Sequence, residues 1–200
     1  MLHSSTPSDV IAAPALGEAS VAEDPYHLAV FQAWACAFGA SAVVYLSGPI
    51  TTGKRLLAAI EEGRPLDTVL PENLAVMRET AHRLRQQVPP IVLDPSPLVV
   101  AHWSQQQYML LWRGLIERHA REVRFMPDWE YSRGCAEEFV FAAALGIPTL
   151  DLDGSAIAPV AGAARLARAI DRLNKSIAGH ERLAALASAL NALRNELGGG

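Results

Sequence analysis

Cysteine is scarce in this 200-residue chain. Cys36 and Cys135 lie far apart, in no C-x-x-C pair and no metal-ligand spacing. That speaks against a disulfide framework and makes a reduced, cytoplasmic protein the expectation. The six histidines (His3, His27, His82, His102, His119, His180) form no HExxH or paired pattern, so neither a bound metal nor another cofactor is expected. A surplus of basic charge is also missing. The formal net charge is −4, which argues against a nucleic-acid polymer as partner, because such binders carry a basic face. A small phosphorylated ligand needs only a local site and stays open. No apolar run reaches the roughly 18 residues that a membrane span requires. The N-terminus has no basic start, carries Asp9 and Glu18, and is interrupted by Pro7 and Pro14. It reads as a mobile tail over 1–24 rather than an export signal.

What is present is an alternation of short apolar runs and helical periodicity. A strand is expected over 42–46, ended by Ser47-Gly48-Pro49, then a helix over 54–62 stopped by Gly63-Arg64-Pro65. Pro71 suits a first helical turn, and Leu74, Met77, Ala81 and Leu84 keep helical spacing after it. Pro89-Pro90 stops that helix before a second strand over 91–93. Ser104 is placed to cap a helix running to about His119. A third strand over 123–126, a helix over 135–145 stopped by Gly146, and a fourth strand over 148–152 complete the series. A fifth strand is not obvious. Such β–α alternation predicts a three-layer α/β sandwich around a parallel sheet of four to five strands. The apolar, aromatic segment 27–38 predicts a helix packed on the sheet or on a partner subunit.

The division expected is a tail (1–24), an α/β domain with an N-terminal helix (25–155) and amphipathic C-terminal helices (156–200). In that last part Leu166, Ile170, Leu173 and Ile177 recur at helical spacing, as do Leu183, Leu186, Leu190, Leu193 and Leu197, out of phase across Gly179. Two helices, or one with a break, follow. They either cover their own sheet or pair with another subunit through a coiled-coil-like seam.

Two stretches have the composition of a site. Gly48-Pro-Ile-Thr-Thr-Gly53-Lys54 fits G-x-x-x-x-G-K after a strand and before a helix, where backbone N–H groups wrap phosphates. Arg55 stands where a Ser or Thr would hold magnesium, and Pro49 removes a donor. Asp94, at a strand end, could imitate the acidic residue that helps hold that ion. The other is Asp128-Trp-Glu-Tyr-Ser132-Arg-Gly134-Cys-Ala-Glu137-Glu138, between a strand and a helix, where open α/β sheets keep ligands. If Glu138 sits in the first helical turn, the helix dipole favours its ionised form by a few tenths to about 1 kcal/mol. A carboxylate so held is a fit nucleophile for an anomeric carbon. Ser132, Gly134 and the helix-start N–H groups could hold a phosphate or sugar hydroxyl. The plainer reading is that Glu137 and Glu138 only complement the dipole. Trp129 could stack on a nucleobase or close the site from water, and Asp128 or Glu130 could act as an acid.

Tyr45-Leu-Ser-Gly48-Pro-Ile50-Thr51, followed by Ser132-x-Gly134-x-x-x-Glu138-x-x-x-Ala142-x-Ala144-x-Gly146, resembles the nucleoside 2-deoxyribosyltransferase superfamily, which includes 2'-deoxynucleoside 5'-phosphate N-hydrolases. The likeness is greatest to a bacterial and phage branch reading Y-[IL]-x-G-P-[MI]-T-G, and Asn73, Asp94-Pro95, Trp103 and Trp129-Glu130 fall in the same order. It covers roughly 42–152. The resemblance implies a flavodoxin-like fold with five parallel strands. It implies Glu138 as the nucleophile toward C1' of a nucleoside or nucleotide, with Glu137 a bystander and Tyr45 beside the nucleophile and the sugar. Gly48, Ile50 and Thr51 would line the pocket, and Ser132 with Gly134 would contact sugar or phosphate. It also implies a homodimer or larger assembly, and no metal. The chain departs from the pattern where the active enzymes carry an Asp on the helix before the third strand. Glu117 and His119 are the substitutes there. Asp128 replaces a Gly before Trp129, and 55–70 is insertion-like. The function so implied is cleavage or transfer of an N-glycosidic bond through Glu138. The alternatives are a non-catalytic nucleotide-binding or interaction protein on the same fold, and a P-loop-like phosphate binder using Gly48 to Lys54.

Overall fold

The computed structural model describes residues 25–176 and 180–198. The tail expected over 1–24, Ile177 and Gly179 lie outside the described residues. The elements run α1 (Pro25–Phe38), β1 (Val43–Ser47), α2 (Lys54–Glu61), a 3-10 turn (Leu66–Thr68), α3 (Val69–Gln87), β2 (Ile91–Leu93), α4 (Gln105–His119), β3 (Ala120–Phe125), a 3-10 turn (Trp129–Tyr131), α5 (Arg133–Ala144), β4 (Thr149–Asp151), α6 (Pro159–Ser176) and α7 (Glu181–Gly198). The four strands pair in parallel in the order β2-β1-β3-β4. Tyr45 lies opposite Leu93 on one side and Val123 on the other, and Val123 lies opposite Thr149. This is a flavodoxin-like three-layer sandwich with its first four strands in that order. A fifth strand, which the resemblance implied, is not present among the described residues.

All five residues of β1 are buried, as a central parallel strand covered on both faces requires. Its side chains alternate between two layers. Val43 and Tyr45 join Leu115, Val123, Phe125 and Phe139 beneath α4 and α5. Val44 and Leu46 join Met77, Ala81, Leu84 and Met126 beneath α3. α4 opens on a capping box: the Ser104 main-chain N–H donates to Gln107 Oε1 at 2.8 Å, and Ser104 Oγ accepts from the Gln107 N–H. α5 ends where Gly146 takes a positive φ of 69°, a conformation open to glycine without strain. α1 packs chiefly on α4, and its Phe38 joins the buried cluster that includes Val43 and Val123.

The C-terminal stripes form two separate helices. Leu166, Leu173, Leu183 and Leu190 are fully buried within the chain, where α6 and α7 pack on each other and on α5. These leucines of the seam are therefore used within the chain. The close approach depends on Gly162, because a methyl group added there would fall on the edge of the Phe139 ring. Gly162→Ala would gain about 1 kcal/mol in helix propensity, but overpacking a core typically costs about 1–3 kcal/mol. A net loss of thermal stability is expected, and an unchanged or higher Tm would show that α6 does not pack this closely.

Candidate active site

Two strand residues and one helix residue meet at the carboxyl ends of the strands. Tyr45 and Ser47 are two positions apart on β1, so both face the α5 layer. The Tyr45 hydroxyl donates to Glu138 Oε1 at 2.5 Å, and the Ser47 hydroxyl donates to Glu138 Oε2 at 2.6 Å. All three side chains are buried. Burial pushes the Glu138 carboxyl up to about 7, against the pull of the Ser47 and Tyr45 hydrogen bonds. Glu137 pushes it further up, and the Arg113 guanidinium pulls it down. Burial, with Glu138 next, holds the Tyr45 phenol well above its ordinary value, so it remains a neutral donor. Burial, with Glu138 again second, also pushes the Cys135 thiol up to about 12, leaving it un-ionised.

The helix start corrects one expectation. α5 begins at Arg133 with Ser132 as its N-cap, so Glu137 and Glu138 lie beyond the first turn. The dipole fades by there, and the two hydroxyls take over its role. Ser132 Oγ accepts from the Cys135 N–H, so in this conformation it caps the helix. Glu137 points elsewhere, accepting from Arg133 at 2.6 Å with Arg113 at 4.0 Å.

The remaining expected site residues are placed as follows. Gly48 is wedged between the sulfurs of Met126 and Met77, where a side chain would collide. The Ile50 carbonyl accepts from the Asn73 side-chain amide, as does that of Thr52, each at 2.9 Å. Thr51 is exposed. Gly134 faces Gln105 and Met109 at the start of α4. Trp129 is fully enclosed, with its ring stacked on Phe139 at 4.6 Å. It is a core residue here, without a face free for a nucleobase. Asp128 adopts a left-handed φ of 67° and pairs with Lys54 at 2.6 Å. The P-loop-like segment is tied down as well, since the Gly53 N–H donates to the Tyr131 carbonyl at 3.0 Å. Asp94 Oδ1 accepts from the Ser96 N–H in a local turn. His119 packs against Phe38 at the opposite edge of the sheet, and Glu117 shares that last turn of α4. Neither is at Glu138.

Two clefts open beside these residues. One, of about 440 Å³, lies beyond β3 and β4 and is lined by Asp128, Glu130, Asp151, Asp153, Arg165 and Arg168. Burial raises the Glu130 carboxyl there. The other, of about 410 Å³, is lined by Pro49, Lys54, Arg55, Arg64, Asn73 and Asp128. It occupies the crevice between the β1 and β3 ends, where strand order reverses. Neither is lined by Tyr45, Ser47 or Glu138. Among the described residues, no group of three or more His, Cys, Asp or Glu is placed to hold a metal ion, and no helix is long and apolar enough to cross a membrane.

Ser47 and Arg113 are the residues that sequence reasoning passed over. Strand alternation from Tyr45 was signal enough for Ser47. Arg113 approaches from α4, 4.0 Å from Glu137, and no spacing marked it. No family model, curated protein or solved structure matches the chain.

The raised Glu138 carboxyl makes a sign-specific prediction. Unfolded, it ionises near 4.5; folded, near 7. Between those values the folded protein binds the extra proton, so stability falls as pH rises through that window. Glu138→Gln should remove this slope. The unfolding free energy of Glu138→Gln relative to the native protein should rise by on the order of 3 kcal/mol from pH 4.5 to 7.5. Parallel curves in denaturant titrations would show that the carboxyl is not buried as described.

Proposed function

We propose that the protein cleaves or transfers the N-glycosidic bond of a (deoxy)nucleoside or its 5'-monophosphate, with Glu138 as nucleophile. One observation carries the reading: the Tyr45 and Glu138 side chains, 93 residues apart in sequence, meet at 2.5 Å at the carboxyl ends of the strands. In this reading an oxygen of ionised Glu138 attacks C1'. The C1'–N bond breaks, and its electron pair leaves on the base, which takes up a proton from water. The glycosyl ester is then opened at C1' by water or by a second base, returning the carboxylate. The two hydroxyl donors favour the ionised form that attack needs. A carboxyl near 7 places an acid limb close to neutrality. Turnover requires the packing around Glu138 to open, since the carboxyl is enclosed.

A second reading, a non-catalytic nucleotide-binding or interaction protein on the same fold, is favoured by the clefts, which lie beside Glu138 rather than over it. Incubation with a panel of nucleosides, deoxynucleosides and their 5'-monophosphates, assayed for free base, separates the two. The catalytic reading expects release that falls by about 10³-fold or more in Glu138→Gln. Its rate with the native protein should rise through pH 7. Binding of a panel member without release by the native protein would establish the second reading, and release that survives Glu138→Gln would remove the nucleophile.

A further inference from the structure

The geometry points to Ser47 as a positioning residue that fixes the orientation of the Glu138 carboxylate. The inference rests on the reading of Glu138 as nucleophile. A carboxylate held through one oxygen still turns about its last side-chain bond, where the torsional wells are broad. Tyr45 alone would leave that freedom. Ser47 removes it by donating to the other oxygen at 2.6 Å. The two donors differ in reach, a phenol and a short hydroxymethyl. From alternate positions of one strand they therefore arrive at the two oxygens of one group.

The hydroxyl is itself held by rigid surroundings. Ser47 is the last residue of β1 and pairs with Phe125. Its carbonyl accepts the Met126 N–H at 2.9 Å, and the residue is fully buried. The charged groups near Glu138 do not substitute for it. Arg113 is at 4.0 Å from Glu137 and lies over the Phe141 ring. Glu137 is held by Arg133. No proton leaves Ser47 in the reaction. Its hydroxyl keeps donating to Oε2 as the carboxylate becomes an ester and returns.

Wild type, Ser47→Ala and Ser47→Thr are to be compared by titrating the ¹³C-labelled Glu138 carboxyl and by the pH profile of base release from deoxynucleoside 5'-monophosphates. Ser47→Ala should move both the carboxyl midpoint and the acid limb of kcat/KM up by about one unit. It should lower kcat while KM stays within about twofold. Ser47→Thr, which keeps the hydroxyl, should restore both. If the added methyl prevents folding, Ser47→Cys, a weak donor of similar size, should give an intermediate midpoint. An unmoved midpoint in Ser47→Ala overturns the inference, and if Glu138-dependent release persists the nucleophile stands without Ser47. Conversely, a wild type that releases no base removes the nucleophile reading. The titration alone then decides whether Ser47 holds the carboxylate.

Discussion

Glu138 is a carboxylate set inside a hydrophobic layer, and the carboxyl edge of the sheet is arranged around it. An isolated buried charge is too costly to persist, so it is either neutralised or given hydrogen-bond donors. Here both occur in part. Burial raises the carboxyl toward 7 while Tyr45 and Ser47 donate to its two oxygens. The compromise leaves a group whose charge changes near neutrality. It also explains why β1, otherwise aliphatic, carries a phenol and a hydroxyl at alternate positions on one face.

The loops above the sheet are pinned to one another. The segment after β1 gives its Gly53 N–H to Tyr131 and its Lys54 to Asp128, and its Ile50 and Thr52 carbonyls accept from Asn73. Asp128 takes a left-handed backbone to make its contact, a conformation that costs a non-glycine residue free energy and survives where its surroundings enforce it. It lines both clefts. The ridge between them is thus a strained, ion-paired residue, next to a tryptophan that serves the core.

Much of this was legible in the chain. Strand and helix identities followed from apolar periodicity, with boundaries displaced by no more than three residues: β3 begins at Ala120, and α5 at Arg133 rather than Cys135. The Ser104 cap and the Gly146 stop were readable because each is a local device. Trp129 was not, since a tryptophan beside a loop has the same sequence signature whether it faces a ligand or Phe139. The C-terminal leucines were equally ambiguous. A helical stripe records that a face is buried without recording against what, and here the answer is the other C-terminal helix together with α5.

The sequence by itself determined the α/β class and the order of elements, because periodicity and caps are written in neighbouring residues, whereas Glu138 and Tyr45 were singled out only through the family resemblance. Only the tertiary structure decided what holds that carboxylate. Ser47 and Tyr45 are 91 and 93 residues from Glu138, and the register of a parallel sheet against a helix sets which hydroxyls reach it. The ionisation of Glu138 was likewise undecided in the chain. It depends on how deeply the packed layers bury the group and on which donors β1 brings to it, and both are properties of packing.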